Sequence, residues 1–361
     1  MKKNSLKSLF LSAMFVFAGA CLVSCSNDDD NTPGGAAAAA NNGCYVLSCG
    51  NWGGNDASLQ YYDYTTGLAT APDADANIFA VQNGAMLGDL AQDMLWVGDK
   101  LFVSVSGSQK LEVLDEDGKR LCEPYLYSEE GASPRMLATD GKNVYVTNYD
   151  GNVYVYSAST AEFVKTIAVG TRPEGISCTD GVLVVNNSGD LYAYNGTVSV
   201  IDLKSGEKRD IQLVNPYTAS VVCNGDVYII DSGNYYDVPS AVYRVSVENA
   251  AVEALGFAAS AIAAYEEKIY YVNNEWSYEV NNYVTTPLYV YDTVTGERAE
   301  LLPAEAMANV NSLSVNPSNG DIYVGYAQYG VLGTMNVYTL TGEARDTFTV
   351  GYYTTGAYFE N

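Results

Sequence analysis

The side chains of this 361-residue chain that could do chemistry are carboxylates, tyrosines, a few lysines and seven cysteines; histidine is absent. Its absence excludes a Ser-His-Asp or Cys-His relay, a His-ligated haem and any His-containing zinc site. A general base would have to be a carboxylate, Tyr, Lys or Cys. The adjacent acids do not read as an acid/base pair, because Asp28 to Asp30 lie in a polar tether and Glu129-Glu130 and Glu266-Glu267 in expected turns. Asp231 and Asp237, spaced Asp-Ser-Gly-Asn-Tyr-Tyr-Asp, lack the ligand run and closing Glu of an EF-hand calcium loop. No C-x-x-C spacing for metal or redox work occurs. The residues therefore assign no catalytic, metal or cofactor site, and binding is expected instead.

Charge narrows the partners. Lys and Arg number 18 against 43 Asp and Glu, a formal −25, with no basic stripe to neutralise a phosphate backbone, so nucleic acid is not an expected partner. The aromatic set is 31 Tyr beside 9 Phe and 3 Trp, amphipathic rather than oily, and suits both sheet surfaces and wet binding faces.

The elements that must position such side chains are strands. One signature recurs seven times, as Tyr45-Val46-Leu47-Ser48, Leu101-Phe102-Val103-Ser104, Val144-Tyr145-Val146-Thr147-Asn148, Val182-Leu183-Val184-Val185-Asn186, Val227-Tyr228-Ile229-Ile230-Asp231, Ile269-Tyr270-Tyr271-Val272-Asn273 and Ile322-Tyr323-Val324-Gly325. The starts are 56, 43, 38, 45, 42 and 53 residues apart, centred on the length of a four-stranded blade. Most copies follow a Gly or Asx turn and lead into an alternating strand that often ends in Asp, then a hairpin such as Lys204-Ser205-Gly206-Glu207. A small-residue strand, as in Glu174-Gly175-Ile176-Ser177-Cys178, suits a crowded axis. The expected fold is all-β, a seven-bladed β-propeller of four-stranded antiparallel blades. Because the chain enters its first blade without an innermost strand and ends in Thr355-Gly356-Ala357-Tyr358-Phe359, the C-terminal strand is expected to complete that blade and close the ring. Ala250 to Ala264 is helical by propensity and is assigned to strand by register alone.

Residues 1–24 read as an export signal: Lys2, Lys3 and Lys7 precede an apolar run from Leu9 to Val23 that is short for a membrane span. Leu22-Val23-Ser24-Cys25 resembles the lipobox of bacterial lipoproteins, which implies lipidation of Cys25; Cys21 is the runner-up. Ser26-Asn27-Asp28-Asp29-Asp30 resembles the surface-export signal of Bacteroidota lipoproteins, implying an outer-membrane protein that faces outward and meets the membrane only through its lipid. An acidic linker start is also simply soluble. Residues 25–42 form a tether and 43–361 the propeller. Losing 1–24 removes three lysines and no acid, so the body carries −28. Its non-lipidated cysteines, Cys44, Cys49, Cys122, Cys178 and Cys223, are odd in number and read as apolar thiols rather than a disulfide framework.

Tyr145-Val146-Thr147-Asn148 and Arg172-Pro173-Glu174-Gly175-Ile176 resemble the YVTN family of β-propellers over residues 43–361. In this strand order, loops between the second and third strands share one end of the ring with loops entering the innermost strands. The first set carries Asn51, Trp52, Asn148, Tyr149, Asn186, Asn187, Asn234, Tyr235, Tyr236, Trp276, Tyr278, Tyr326 and Tyr329. The second adds Gln92, Arg135, Arg172, Tyr217, Asn309, Asn311 and Tyr353. Aromatic planes, amides and two cations make a face for a large, flat ligand with many hydrogen-bonding groups. Singly, each has a structural reading: Asn tolerates turns, Tyr is common in sheets, and the arginines can bridge acids in neighbouring loops.

The run from Gly50 to Asp63, with Asn77-Ile78-Phe79 and Leu87-Gly88-Asp89-Leu90-Ala91-Gln92-Asp93-Met94, is similar to the BtuG-type surface propeller lipoproteins. That resemblance implies capture of cobalamin or a related corrinoid and delivery to a TonB-dependent outer-membrane transporter. It carries over the role of the face and no individual contact. Without imidazole, binding would be outer-sphere at cobalt. A glycan or peptide would also suit aromatics with amides, and a carboxylate enzyme is the third reading.

Overall fold

The computed structural model describes residues 42–129, 131–190, 192–217, 219–277, 279 and 282–360, without the side chains of 275–277, 282 and 283. The export signal, Cys25, the tether before Asn42, Tyr278 and the side chain of Trp276 lie outside the described residues.

Seven four-stranded antiparallel sheets follow one another in sequence order. From the axis outward the third blade reads Pro134–Thr139, Asn143–Asn148, Asn152–Ser157 and Phe163–Ala168. The second strand of each blade is the recurring apolar signature. It is buried on both faces because a neighbouring blade packs on each side: Val46, Val103, Val146, Val184, Ile229 and Val324 have no exposed surface. Each such side chain contributes about 1.5–3 kcal/mol of burial. The outermost strands meet water; Phe163–Ala168 and Lys208–Gln212 are largely exposed.

The hairpins between third and outermost strands owe their shape to the expected Asp. Asp63, Asp202 and Asp292 each accept two backbone N–H groups from the next residues through one carboxylate oxygen. These bonds favour the charged form, and all three carboxyls titrate below the ordinary range. Gly67, Gly206 and Gly296 then take the left-handed conformation that the turn requires.

Two elements interrupt the repeat beyond what the sequence pattern anticipates. Ile78–Asn83 is a short helix capped by Asn77, whose side chain accepts the Ala80 N–H, and ended by Gly84 at φ 60°. Asn83 ties it to the second blade by donating to the Gly118 carbonyl and accepting the Arg120 N–H. In the sixth blade a two-stranded ribbon, Asn274–Ser277 with Asn282–Thr285, extends the loop between Lys268–Val272 and Leu288–Asp292. The segment from Ala250 to Ala264 contains strands Val252–Ala254 and Ala261–Tyr265, as the register requires. Among the described cysteines Cys44, Cys49, Cys178 and Cys223 are free thiols, with Cys44 and Cys223 buried.

The C-terminal strand Thr354–Tyr358 completes the first blade. Tyr45 pairs with Tyr358, Val46 with Ala357, Leu47 with Gly356 and Ser48 with Thr354. The Thr354 hydroxyl donates to the Leu47 carbonyl at 3.0 Å. The same strand holds the seventh blade, where Asn311 donates to the Thr354 carbonyl and the Ser314 hydroxyl accepts the Ala357 N–H. Deleting residues 354–361 should lower the melting temperature by roughly 10 °C or more, because it opens two blades and bares a sheet edge. An unchanged thermal melt would show that the ring closes some other way.

Candidate functional site

A cavity of about 780 Å³ opens on the axis, lined by Gln92, Arg135, Glu174, Ala219, Ile262, Asn311 and Thr355, one residue from the innermost strand or strand entry of each blade. Its rim is aromatic. Trp52 is 87% and Tyr329 89% exposed, and Tyr217 and Tyr353 stand with them.

Two repeated backbone devices aim these side chains. The first is the entry turn. Leu90, Arg172, Asn309 and Tyr353 each precede an innermost strand with φ between 52° and 65°, a left-handed conformation costing about 1–2 kcal/mol for a residue with a Cβ. Their carbonyls accept the N–H groups of Ser106, Ser188, Ala327 and Cys49, which sit at or just past the ends of the second strands, so the turn is locked to the segment beside it. The second is a bulge at the mouth end of the innermost strand. Pairing slips at Gln92, at Arg135-Met136, at Glu174-Gly175, at Asn311 and at Thr355. An extra residue in one strand turns its side chain out of the alternation. Five bulges therefore deliver Gln92, Arg135, Met136, Glu174, Asn311 and Thr355 to the cavity wall.

The charged part of the wall is one cluster. The Arg135 Nε donates to Glu174 Oε2 at 2.7 Å, and the Tyr149 hydroxyl donates to Glu174 Oε1. The Arg135 and Arg172 guanidinium carbons lie 4.9 and 4.6 Å from the centre of the Tyr149 ring. Burial pushes the Glu174 carboxyl upward, opposed by Arg135 and the Tyr149 hydroxyl. Asp93 is the other carboxyl on the wall. It accepts the Leu137 N–H from the next blade and the Met94 N–H, and burial pushes it up to about 6. Cys49 also lines the cavity, with its thiol pushed up to about 11 by burial, so it carries no thiolate at neutral pH.

Of the residues singled out from sequence, the structure brings Asn51, Trp52, Gln92, Arg135, Tyr217, Tyr329 and Tyr353 to the cavity, with Asn311. Tyr149 and Arg172 are not themselves lining residues; the Tyr149 ring carries the guanidinium groups of both Arg135 and Arg172. Asn148, Asn186 and Asn187 are fully buried instead of facing the mouth. Asn148 accepts the Ser133 N–H, and Asn187 accepts the Gly170 N–H while donating to Thr197 and Ser199, so these amides tie each second strand to the entry segment or next strand of its own blade. Asn234 accepts three N–H groups of its own loop, which holds Tyr235 and Tyr236 outward beside Tyr194. Tyr326 turns from the axis and donates to the Ala306 carbonyl. Asp231 spends its carboxylate on the N–H groups of Val214, Asn215 and Gly233, and no metal-binding cluster occurs among the described residues. Sequence reading missed Asp93, Met136, Glu174 and Thr355 as wall residues. All but Asp93 lie in bulges, and the Pro-Arg and Pro-Glu pairs at strand entries are the only local signal of them.

Asp93 makes stability depend on pH. Its folded value lies above the ordinary carboxylate value, so its contribution is fully present below about pH 4 and is lost as pH rises through about 6. In urea unfolding, the native chain should lose on the order of 3 kcal/mol more between pH 4 and pH 7 than Asp93→Asn. Identical slopes would show that the carboxyl is not held in its neutral form.

No family model matches the chain, and no curated protein matches it significantly. Solved structures share the fold at low identity. Hydrazine synthase of Kuenenia stuttgartiensis is 16% identical with a TM-score of 0.56, over 69% of this chain and 76% of that one. Virginiamycin B lyase from Staphylococcus aureus is 12% identical at 0.54, over 72% and 84%. The Neurospora crassa Pan2 WD40 domain is 12% identical at 0.54, over 74% and 80%. The chain is thus similar to β-propellers that include enzymes and a WD40 domain, a likeness of fold alone.

Proposed function

We propose that this protein is a cell-surface lipoprotein, anchored through Cys25 in the outer membrane, that binds cobalamin or a related corrinoid non-covalently and hands it to a TonB-dependent transporter. The observation that carries the reading is the axial cavity: about 780 Å³, ringed by Trp52, Tyr329, Tyr217 and Tyr353 and walled by amides and hydroxyls. This size lies within the range of small-molecule sites. A corrin ring offers a flat face to the aromatics and peripheral amides to Gln92, Asn51 and Asn311. With no histidine and a protonated Cys49, cobalt keeps its own ligands, and capture is reversible.

The reading is one of binding without catalysis. Both Glu174 oxygens are engaged by Arg135 and Tyr149, and Asp93 is held by two backbone donors. These carboxyls shape the wall and hold the blades in register. Resemblance to BtuG-type lipoproteins supports the ligand class, and the −28 body suits a soluble domain held at a membrane.

Calorimetric titration of residues 26–361 with cyanocobalamin, with soluble glycans as controls, tests the proposal. Saturable heat at micromolar protein is expected with cyanocobalamin. Trp52→Ala and Tyr329→Ala should each weaken binding about tenfold without moving the melt, because both rings are almost fully exposed. No heat with cyanocobalamin would refute the corrinoid reading, and heat with a glycan would replace it.

A further inference from the structure

The wall is acidic by composition and cationic at one point. Around Tyr149 stand two guanidinium groups and one carboxylate. Arg135 and Glu174 pair at 2.7 Å with side chains 13% and 1% exposed, which neutralises one cation. Arg172 makes no ion pair within 4 Å among the described residues, its charge reaching Glu174 only from beyond that distance, and its Nε is buried with no hydrogen-bond partner. A buried donor left unmade costs about 1–3 kcal/mol, more when charged. Arg172 is also held in left-handed backbone at φ 52°, with its carbonyl fixed by Ser188. It occupies the same entry-turn position as Leu90 and Tyr353, which line the cavity, and Asn309, which does not. Two guanidinium groups share one carboxylate, and one donor of Arg172 is unmade, so the cluster carries one positive charge in excess.

We propose that Arg172, with Arg135 beside it, forms a subsite for a phosphodiester monoanion at the edge of the axial cavity. Guanidinium suits this group because its planar donors meet two phosphate oxygens at once. The inference deepens the corrinoid reading and rests on it for the natural ligand: cobalamin carries a phosphodiester in its nucleotide loop, whereas cobinamide lacks that loop. The subsite would make the protein select complete cobalamins over incomplete corrinoids.

The test compares cyanocobalamin, dicyanocobinamide and dimethyl phosphate on the same protein. Cyanocobalamin should bind at least tenfold tighter than dicyanocobinamide. Arg172→Gln should remove most of that ratio and Arg172→Lys part of it, while Arg244→Gln, at an exposed pair with Asp226 on the fifth blade, should leave it intact. Equal affinities in the native protein, or an equal loss for both corrinoids in Arg172→Gln, would overturn the subsite and leave corrinoid capture standing. Should neither corrinoid bind, the corrinoid reading falls, and dimethyl phosphate decides the subsite alone. A melt raised in the native protein but not in Arg172→Gln supports it, and no difference between them overturns it.

Discussion

Everything in this molecule depends on one strand pairing. Thr354–Tyr358 lies against Gly43–Ser48 inside the first blade, so the two ends of the ring share one hydrogen-bonded sheet. Without that pairing the innermost strand of the first blade is missing, the seventh blade loses its neighbour, and the cavity loses Tyr353, Thr355 and Tyr358 from its wall. Closure and site are built by the same residues. A cavity shaped by seven separate sheets keeps its form only if the ring cannot spread, and antiparallel pairing of Thr354–Tyr358 with Gly43–Ser48 supplies that constraint while covering the inner edge of the first blade.

Within the closed ring, the site arises from departures from regular structure. A regular innermost strand would alternate its side chains between the two neighbouring blades and send none along the axis. Bulges at Gln92, Arg135, Glu174, Asn311 and Thr355 break the alternation where the channel opens. Entry turns in left-handed backbone precede four of these bulges. The strain is repeated and locked by hydrogen bonds across each blade, and such strain gathers where a fold positions functional side chains.

The architecture was legible because it rests on local and repeated signals. A doubly buried second strand needs a continuous apolar run, and seven such runs at a blade's spacing leave little choice of fold. Where a third strand ends in Asp, that residue announced its turn, since Asp63, Asp202 and Asp292 cap their own hairpins. The site was legible only in part. Asn51 follows a second strand and Asn187 ends one, and they look alike in sequence, yet one lines the cavity and the other is buried among Gly170, Thr197 and Ser199. The strand pleat turns Asn187 inward, whereas Asp56 holds Asn51 in its loop. Glu174 and Thr355 were hidden because a bulge shifts the side chain by one position, and a period-two reading places it against a neighbouring blade. Asp93 belongs to the same difficulty: its carboxyl serves Leu137 in the next blade, a partner 44 residues away.

The tyrosine excess divides between these roles. Tyr145, Tyr228, Tyr270 and Tyr323 are buried in second strands and fill the space between blades. Tyr217, Tyr329 and Tyr353 ring the mouth, and Tyr149 carries the charged cluster. The central claim is that this mouth, and no outer surface of the ring, receives the ligand. Hydrogen–deuterium exchange with and without cyanocobalamin measures that most directly. Slowed exchange is expected in residues 50–56, 90–93 and 351–355, with the outermost strands Phe163–Ala168 and Lys208–Gln212 unchanged; protection on those outer strands, with none at the mouth, would contradict it.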